Sequence, residues 1–198
     1  MKHLSLLSTT AVLGLLMATS IVTTFISAPA MAATLSATEA ADLTFQREEE
    51  KLARDVYLTL YKKWGTNTFN NIAGSEQNHT DTMLKMLIKY KLPDPAQPTI
   101  GHFTNADLQA KYEELVVKGL TSYVDGLYVG ASIEELDMID LQHAIDHTKR
   151  VDLLTAYQNL LEGSKNHLRA FVAGLAAQRI TYTPQLISQE LYDAIIGL

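Results

Sequence analysis

Apolar residues recur at steps of three and four along four long segments of this chain, a spacing that only packed helices can bury. The clearest run is Val124, Leu127, Ala131, Met138, Leu141 and Ile145, interrupted on the same face by a single acid, Glu134. Alternating strand patterns are almost absent. Ser36-Ala37-Thr38-Glu39 has the capping-box form, so a first helix is predicted from there to a stop at Gly65. A second starts after Thr66 or Asn67 and ends before Pro93, and "LPDPAQPTIGHFTN" reads as a loop. A short helix is expected from about Ala106 to Lys118, closed by Gly119. Ser122-Tyr123-Val124-Asp125 opens a third long helix, and Asp146 to Thr148 is either a break or a bend before a fourth, from about Lys149 to Gln178. An extended tail with one or two helical turns follows. The predicted class is all-α, a four-helix bundle with a short extra helix in its middle crossover.

Residues 1–32 stand apart from this pattern. A basic start at Lys2 and His3, a long acid-free apolar run and the ending Ala30-Met31-Ala32 form a signal peptide, with cleavage expected after Ala32. The helical domain is then 33–198, and the protein is expected to be exported, secreted or periplasmic, without stable membrane insertion once the signal is cut. The chain carries a net charge of −6 with no basic cluster, which argues against nucleic acid and anionic lipid as partners. It has no cysteine, so disulfides, thiolate metal sites and cysteine nucleophiles are excluded, and stability must come from an ordinary core or a bound ion.

The inner stripes carry polar groups where apolar ones belong. In the second helix Ile72, Glu76, His79, Met83 and Leu87 share one face. In the third, Glu134 lies on the stripe, with Asp137 one turn on along its edge and Glu135 farther round. In the fourth, Leu153, Tyr157, Leu160, Ser164, His167 and Phe171 line up. In the first, Glu48, Glu49 and Glu50 are consecutive; such a run is ordinarily a solvated face, and periodicity leaves Glu49 and Glu50 nearly tied for the inner position. A single buried acid could be met by a salt bridge or by Tyr57. Acids or imidazoles on all four stripes are another matter, because several unpaired buried charges cost many kcal/mol. A shared cation removes that cost, and carboxylate with imidazole suits iron, manganese or zinc. The competing explanation is an internal salt-bridge network using Arg54, Lys85 or Arg169.

The blocks "REEEKLARDVY", "NIAGSEQNH", "IEELDMIDL" and "GSKNHLRAF" together resemble the prokaryotic family called domain of unknown function 2202, regarded as ferritin-like and without an established activity. A looser resemblance, to the rubrerythrin branch of ferritin-like proteins, implies positions. A helix-one Glu before an Ala-Arg-x-x-Tyr run matches Glu50 ahead of Ala53, Arg54 and Tyr57. Glu76 and His79 match the Glu-x-x-His of helix two, and Glu134 and Asp137 stand where helix-three acids are expected. Helix four departs from the pattern: its Glu-x-x-His reads Ser164-Lys165-Asn166-His167, without the acid that would bridge two ions. Asp137 could replace that acid, the site could hold one ion, or it could hold none. Ser164 and Asn166 are then candidate hydrogen-bond partners of His167.

The resemblance thus implies metal ligands Glu50, Glu76, His79, Glu134, Asp137 and His167, with iron the foremost cofactor and manganese or zinc as alternatives. Three functions compete. The first is an oxidoreductase acting on peroxide or dioxygen, with Tyr57 or Tyr157 as a proton donor and a separate redox partner that the sequence does not identify. The second is a non-enzymatic metal-binding protein of the cell envelope, and the third a helical interaction module that has lost the metal. A homodimer is compatible with each. His102, His143 and His147 read as surface or loop groups, although the last two are four apart and could clamp a cation. Met83, Met86 and Met138 read as packing.

Overall fold

The computed structural model describes residues 34–197; the expected signal peptide and its expected cleavage site lie outside the described residues. Among those described there are six helices and no strand: α1 (Ala37–Trp64), α2 (Asn67–Tyr90), α3 (Ala106–Gly119), α4 (Tyr123–His147), α5 (Val151–Ala177) and α6 (Gln189–Ile196). None is long and apolar enough to cross a membrane.

The helix ends follow the local chemistry. The Ser36 hydroxyl accepts from the Glu39 amide at 3.1 Å and the Glu39 carboxylate accepts from the Ser36 amide at 2.8 Å, a complete capping box. Gly65 ends α1 in the left-handed region at φ 66°. Ser122 caps α4 by accepting from the Asp125 amide, but its hydroxyl also donates to the Asp125 carboxylate, so the reciprocal arm of a box is missing. Between α4 and α5 the chain breaks: Thr148 is extended, and its hydroxyl donates to Glu39 while accepting from the Arg150 amide. Arg150 also pairs with Glu39. One carboxylate at the start of α1 therefore pins the corner between α4 and α5.

Helix α1 packs on α2, α3 and α4, and α5 packs on α2, α4 and α6. The four long helices close a ring with α1 opposite α5 and α2 opposite α4. The apolar interior falls into two clusters. One gathers Val56, Tyr57, Leu60, Phe69, Ile72, Leu127, Phe171 and Leu175; the other gathers Leu43, Met83, Leu87, Leu141, Leu153, Tyr157 and Leu160. Their order along each helix shows that α1 and α5 run one way and α2 and α4 the other. Every long helix passes from one cluster to the other through a polar layer: Glu49 and Glu50 in α1, Glu76 and His79 in α2, Glu134 and Asp137 in α4, Ser164 and His167 in α5.

Periodicity offered the inner position of the glutamate run to Glu49 or Glu50, and the structure buries more of the run than that. Glu48, Glu49 and Glu50 are all buried, at 3, 4 and 1% exposure, and Lys51 is buried beside them. Neighbouring elements cover α1 on three sides at this level. Glu48 accepts from the amides of Thr104 and Asn105 at the start of α3. Lys51 donates to Asp55 and to the carbonyls of Thr99 and His102 in the preceding loop.

Glu135, placed by periodicity away from the inner stripe, is also fully buried. The segment before α6 lies over it: Glu135 accepts from the Tyr182 hydroxyl at 2.8 Å and from the amides of Gln185, Leu186 and Ile187.

Candidate metal centre

The polar layer brings five predicted residues into two triads that share one member. Glu50, Glu76 and His79 offer ligand atoms within 4.8 Å of one another, and so do Glu76, Glu134 and His167. Glu76 is common to both: His79 Nδ1 lies 2.8 Å from its Oε2, and His167 Nδ1 2.7 Å from its Oε1. Neither contact is aligned as a hydrogen bond, and both Glu76 oxygens lack a directed donor although they are buried. The rings stand 5.5 Å apart, centroid to centroid. Glu50 Oε2 makes an aligned 3.2 Å contact with His79 Nδ1, while its Oε1 has no partner.

Neighbours hold these groups in place. Tyr57 donates from its hydroxyl to Glu134 Oε1 at 2.6 Å, leaving Oε2 to face His167 Nδ1 at 3.4 Å. His167 Nε2 contacts the Ser75 hydroxyl at 2.9 Å, so Ser75, and not Ser164 or Asn166, is its partner. Asn166 instead accepts from Arg169, and Ser164 donates to Asp137 Oδ2. Asp137 belongs to neither triad; it lies beside them, with Oδ1 unpartnered. Gly163 of α5 backs onto the His79 ring: a Cβ there would come within 2.6 Å of Cε1 and Nε2.

No arginine or lysine answers this cluster among the described residues. Arg54 pairs with Asp55 and Gln77, Arg169 with Asn166 and the Ile195 carbonyl, and Lys85 is exposed. The five carboxylates Glu49, Glu50, Glu76, Glu134 and Asp137 therefore face each other and two imidazoles. Burial raises Glu49, with the Asp137 and Asp140 charges adding to it, and raises Asp137, with Glu50, Glu134 and Glu76 adding. Burial also raises Glu134, and it lifts Glu50 to about 8 against the pull of His79. Burial opposes the imidazolium forms, but the facing carboxylates win and push His79 to about 11 and His167 to about 10. Glu76, although raised by burial, is held at about 2 by those same imidazoles.

Elsewhere, Tyr157 sits in the second apolar cluster with its hydroxyl unpartnered. His147 is engaged by Asp42 at 2.9 Å, and His143 lies 3.9 Å from Asp140; the two histidines form no shared clamp. His102 is exposed. Met83 and Met138 are core residues, and Met86 packs against the cluster that contains Met83.

Residues 39–197 match the family described as Uncharacterized protein domain (DUF2202), and the chain belongs to it. Over 164 residues it is 50% identical to Uncharacterized protein MJ0754 of Methanocaldococcus jannaschii, covering 82% of this chain and 89% of that protein. A crystal structure of hypothetical protein MJ0754 from Methanococcus jannaschii is similar throughout, with a TM-score of 0.81 at 50% identity over 83% of this chain and 94% of that one.

Proposed function

We propose that this chain is an exported metal-binding protein with a ferritin-like four-helix bundle, holding two transition-metal ions between Glu50, Glu76, His79, Glu134 and His167. The observation that carries the reading is Glu76: two buried carboxylate oxygens, each less than 3 Å from an imidazole nitrogen and neither receiving a hydrogen bond. Buried acceptors without donors are rare and costly, and two ions, one on each oxygen, would satisfy both. The long crossover through α3 and the carboxylate-imidazole lining agree with the ferritin-like arrangement. Glu76, common to both triads, would be the shared carboxylate ligand that Ser164 of α5 cannot supply. Tyr57 and Ser75 orient Glu134 and His167, as hydrogen bonds to metal ligands commonly do.

The oxygen-rich, imidazole-containing set favours iron, with manganese or zinc as alternatives. Bound there, iron or manganese would supply redox chemistry towards peroxide or dioxygen. The two apolar clusters would close the layer at its ends, and the chain's own groups would hold the ligand atoms in fixed directions. Asp137, hydrogen-bonded by Ser164, remains available as an additional carboxylate.

The test is elemental analysis of protein recovered from its own compartment, then of chelated protein reloaded with iron(II), manganese(II) or zinc(II). Two ions per chain are expected, and zero under every condition would refute the centre. Gly163→Ala places a methyl group against the His79 ring, and is expected to lose about one ion per chain while folding normally, because alanine favours the helix by ~1 kcal/mol.

The titrations give a sign. Metal must displace the protons that His79 and His167 hold up to about 11 and 10, and the proton Glu50 holds up to about 8. Apparent affinity, read by chelator competition, should therefore rise steadily from pH 6 to pH 8. Stability of the metal-free protein should run the other way. Unfolded Glu50 ionises near 4.5 while the folded group keeps its proton to about 8, so stability falls across that window. The imidazolium contribution is complete below about 6.5 and is lost as pH rises through 10 to 11. Thermal melts of chelated protein at pH 5 and pH 8 check this, the lower pH giving the higher midpoint.

A further inference from the structure

Three basic residues of α1, Arg47, Lys51 and Arg54, follow at steps of four and three and so share one face of the helix. Together with Asp94, Ala96, Gln97 and Pro98 of the loop between α2 and α3, they line an open pocket of about 220 Å³. Arg47 and Lys51 are buried, at 8 and 2% exposure, and Arg54 is partly so. Charges that have left bulk water attract a counter-ion more strongly than surface charges do. Two carboxylates answer these three cations. Asp94 pairs with Arg47, and Asp55, fully buried and outside the lining, pairs with Lys51 and Arg54. Asp81 is engaged by the Gln77 amide and does not line the pocket. One positive charge is left over, in a chain whose total charge is −6.

The donors around the pocket are only partly committed. Lys51 spends all three ammonium hydrogens, on Asp55 and on the carbonyls of Thr99 and His102, so it adds charge alone. A guanidinium carries five N–H groups. Arg47 gives Nε and one Nη2 hydrogen to Asp94 at 2.9 Å each and both Nη1 hydrogens to Thr80, which leaves one. Arg54 gives Nε and one Nη2 hydrogen to Asp55 and one Nη1 hydrogen to Gln77, which leaves one on each Nη. Gln97 uses one amide hydrogen on Thr104 and keeps the other. The two guanidiniums also converge. Their Cα atoms stand two turns apart on α1, whereas their partners Thr80 and Gln77 stand only one turn apart on α2.

We propose that this pocket binds a small carboxylate anion, held by the free N–H groups of Arg47 and Arg54 and covered by Gln97. A cation is excluded by three positive charges, and an apolar molecule would find only Ala96 and Pro98 to rest on. A single carboxylate matches the single charge left over and presents the planar pair of oxygens that guanidinium groups grip best. A phosphate dianion would bring an excess negative charge beside Asp94. At about 30 Å³ per water, the pocket has room for an ion of a few heavy atoms with part of its hydration. The site does not rest on the metal reading, since no residue lining it is a proposed ligand.

Acetate, inorganic phosphate and chloride serve as probes, each titrated at fixed ionic strength into the chelated, isotope-labelled full chain. The readout is the arginine Nε–H signals together with the backbone and side-chain amide shifts. Acetate is expected to shift Arg47, Arg54 and Gln97 saturably, and to bind at least fivefold more tightly than phosphate or chloride. Gln97→Glu sets a negative charge at the rim and should lower the acetate affinity at least tenfold. Gln97 is exposed, so that variant should melt at the wild-type midpoint, which separates lost binding from lost folding. Arg54→Gln, which removes two of the free guanidinium hydrogens, should weaken acetate to the same degree. No saturable shift, shifts clustered elsewhere, or unchanged affinity in Gln97→Glu would each overturn the site. Tighter binding of phosphate would overturn the carboxylate as its ligand, and chloride matching acetate would leave an adventitious counter-ion only. Saturable acetate binding by a chain that takes no metal would refute the centre and leave this site standing.

Discussion

Glu76→Gln protein is expected to hold almost no metal, whereas His79→Ala should retain about one ion per chain. The difference follows from the shared carboxylate. His79 serves one triad, and its loss leaves Glu76, Glu134 and His167 together. Glutamine keeps the shape of Glu76 but removes the negative charge and turns one of its two acceptors into a donor, so neither half keeps its ligand set. A metal present at 100 times its dissociation constant stabilises the fold by about 2.7 kcal/mol. In a domain of this size that raises the melting midpoint by roughly 5–10 °C, and Glu76→Gln should lose the whole of that rise. The chelated variant should also be weakened, on the order of 3 kcal/mol, because two buried imidazoles lose the carboxylate between them. Elemental analysis and paired melts with and without chelator decide the matter. A full metal complement in Glu76→Gln would show that the two triads are not joined through this residue.

The second large effect is expected far from any metal. In Glu135→Ala the Tyr182 hydroxyl and the amides of Gln185, Leu186 and Ile187 lose their common acceptor. They cannot all find new partners while the segment stays docked. The variant should therefore lose about 3 kcal/mol of stability in denaturant titrations, and limited proteolysis should cut near 183–187 first. Metal content should stay at the wild-type level, since Glu135 touches neither triad. A tail that remains protected in Glu135→Ala would mean that packing of Tyr182, Tyr192 and Ile195 holds it without the carboxylate.

The helices were readable from the sequence because their evidence is local. Ser36, Gly65, Ser122 and the three-four stripes act within a few residues of themselves, and the predicted ends agree with the observed ones to within two or three residues. The inward direction of Glu76, Glu134 and His167 was legible for the same reason, since a stripe that buries Ile72 and Met83 must bury Glu76. What could not be read was burial created by a third neighbour. Periodicity finds the face turned towards one core, yet α1 is covered by α2, α3 and α4 together, so Glu48 and Lys51 are buried without lying on the stripe. Glu135 was missed because its partners, apart from the distant Tyr182 hydroxyl, are backbone amides, which leave no mark in side-chain identity. Ser75 and Gly163 were missed because a hydroxyl or a missing methyl group gains meaning only once a histidine from another helix stands beside it.

The buried turn from Glu48 to Lys51 has a consequence for how α1 finds its register. Three identical side chains in a row would let the helix slip or rotate by one position and still offer a glutamate to the centre. The flanking residues remove that ambiguity. Lys51 must reach Asp55 and two carbonyls of the α2–α3 loop, and Arg47 must reach Asp94 and Thr80. The two basic residues act as index marks on either side of a repetitive scale. The choice of Glu50 over its two neighbours is thus helped by contacts that use none of the proposed metal ligands, with Thr80 of α2 and with the α2–α3 loop.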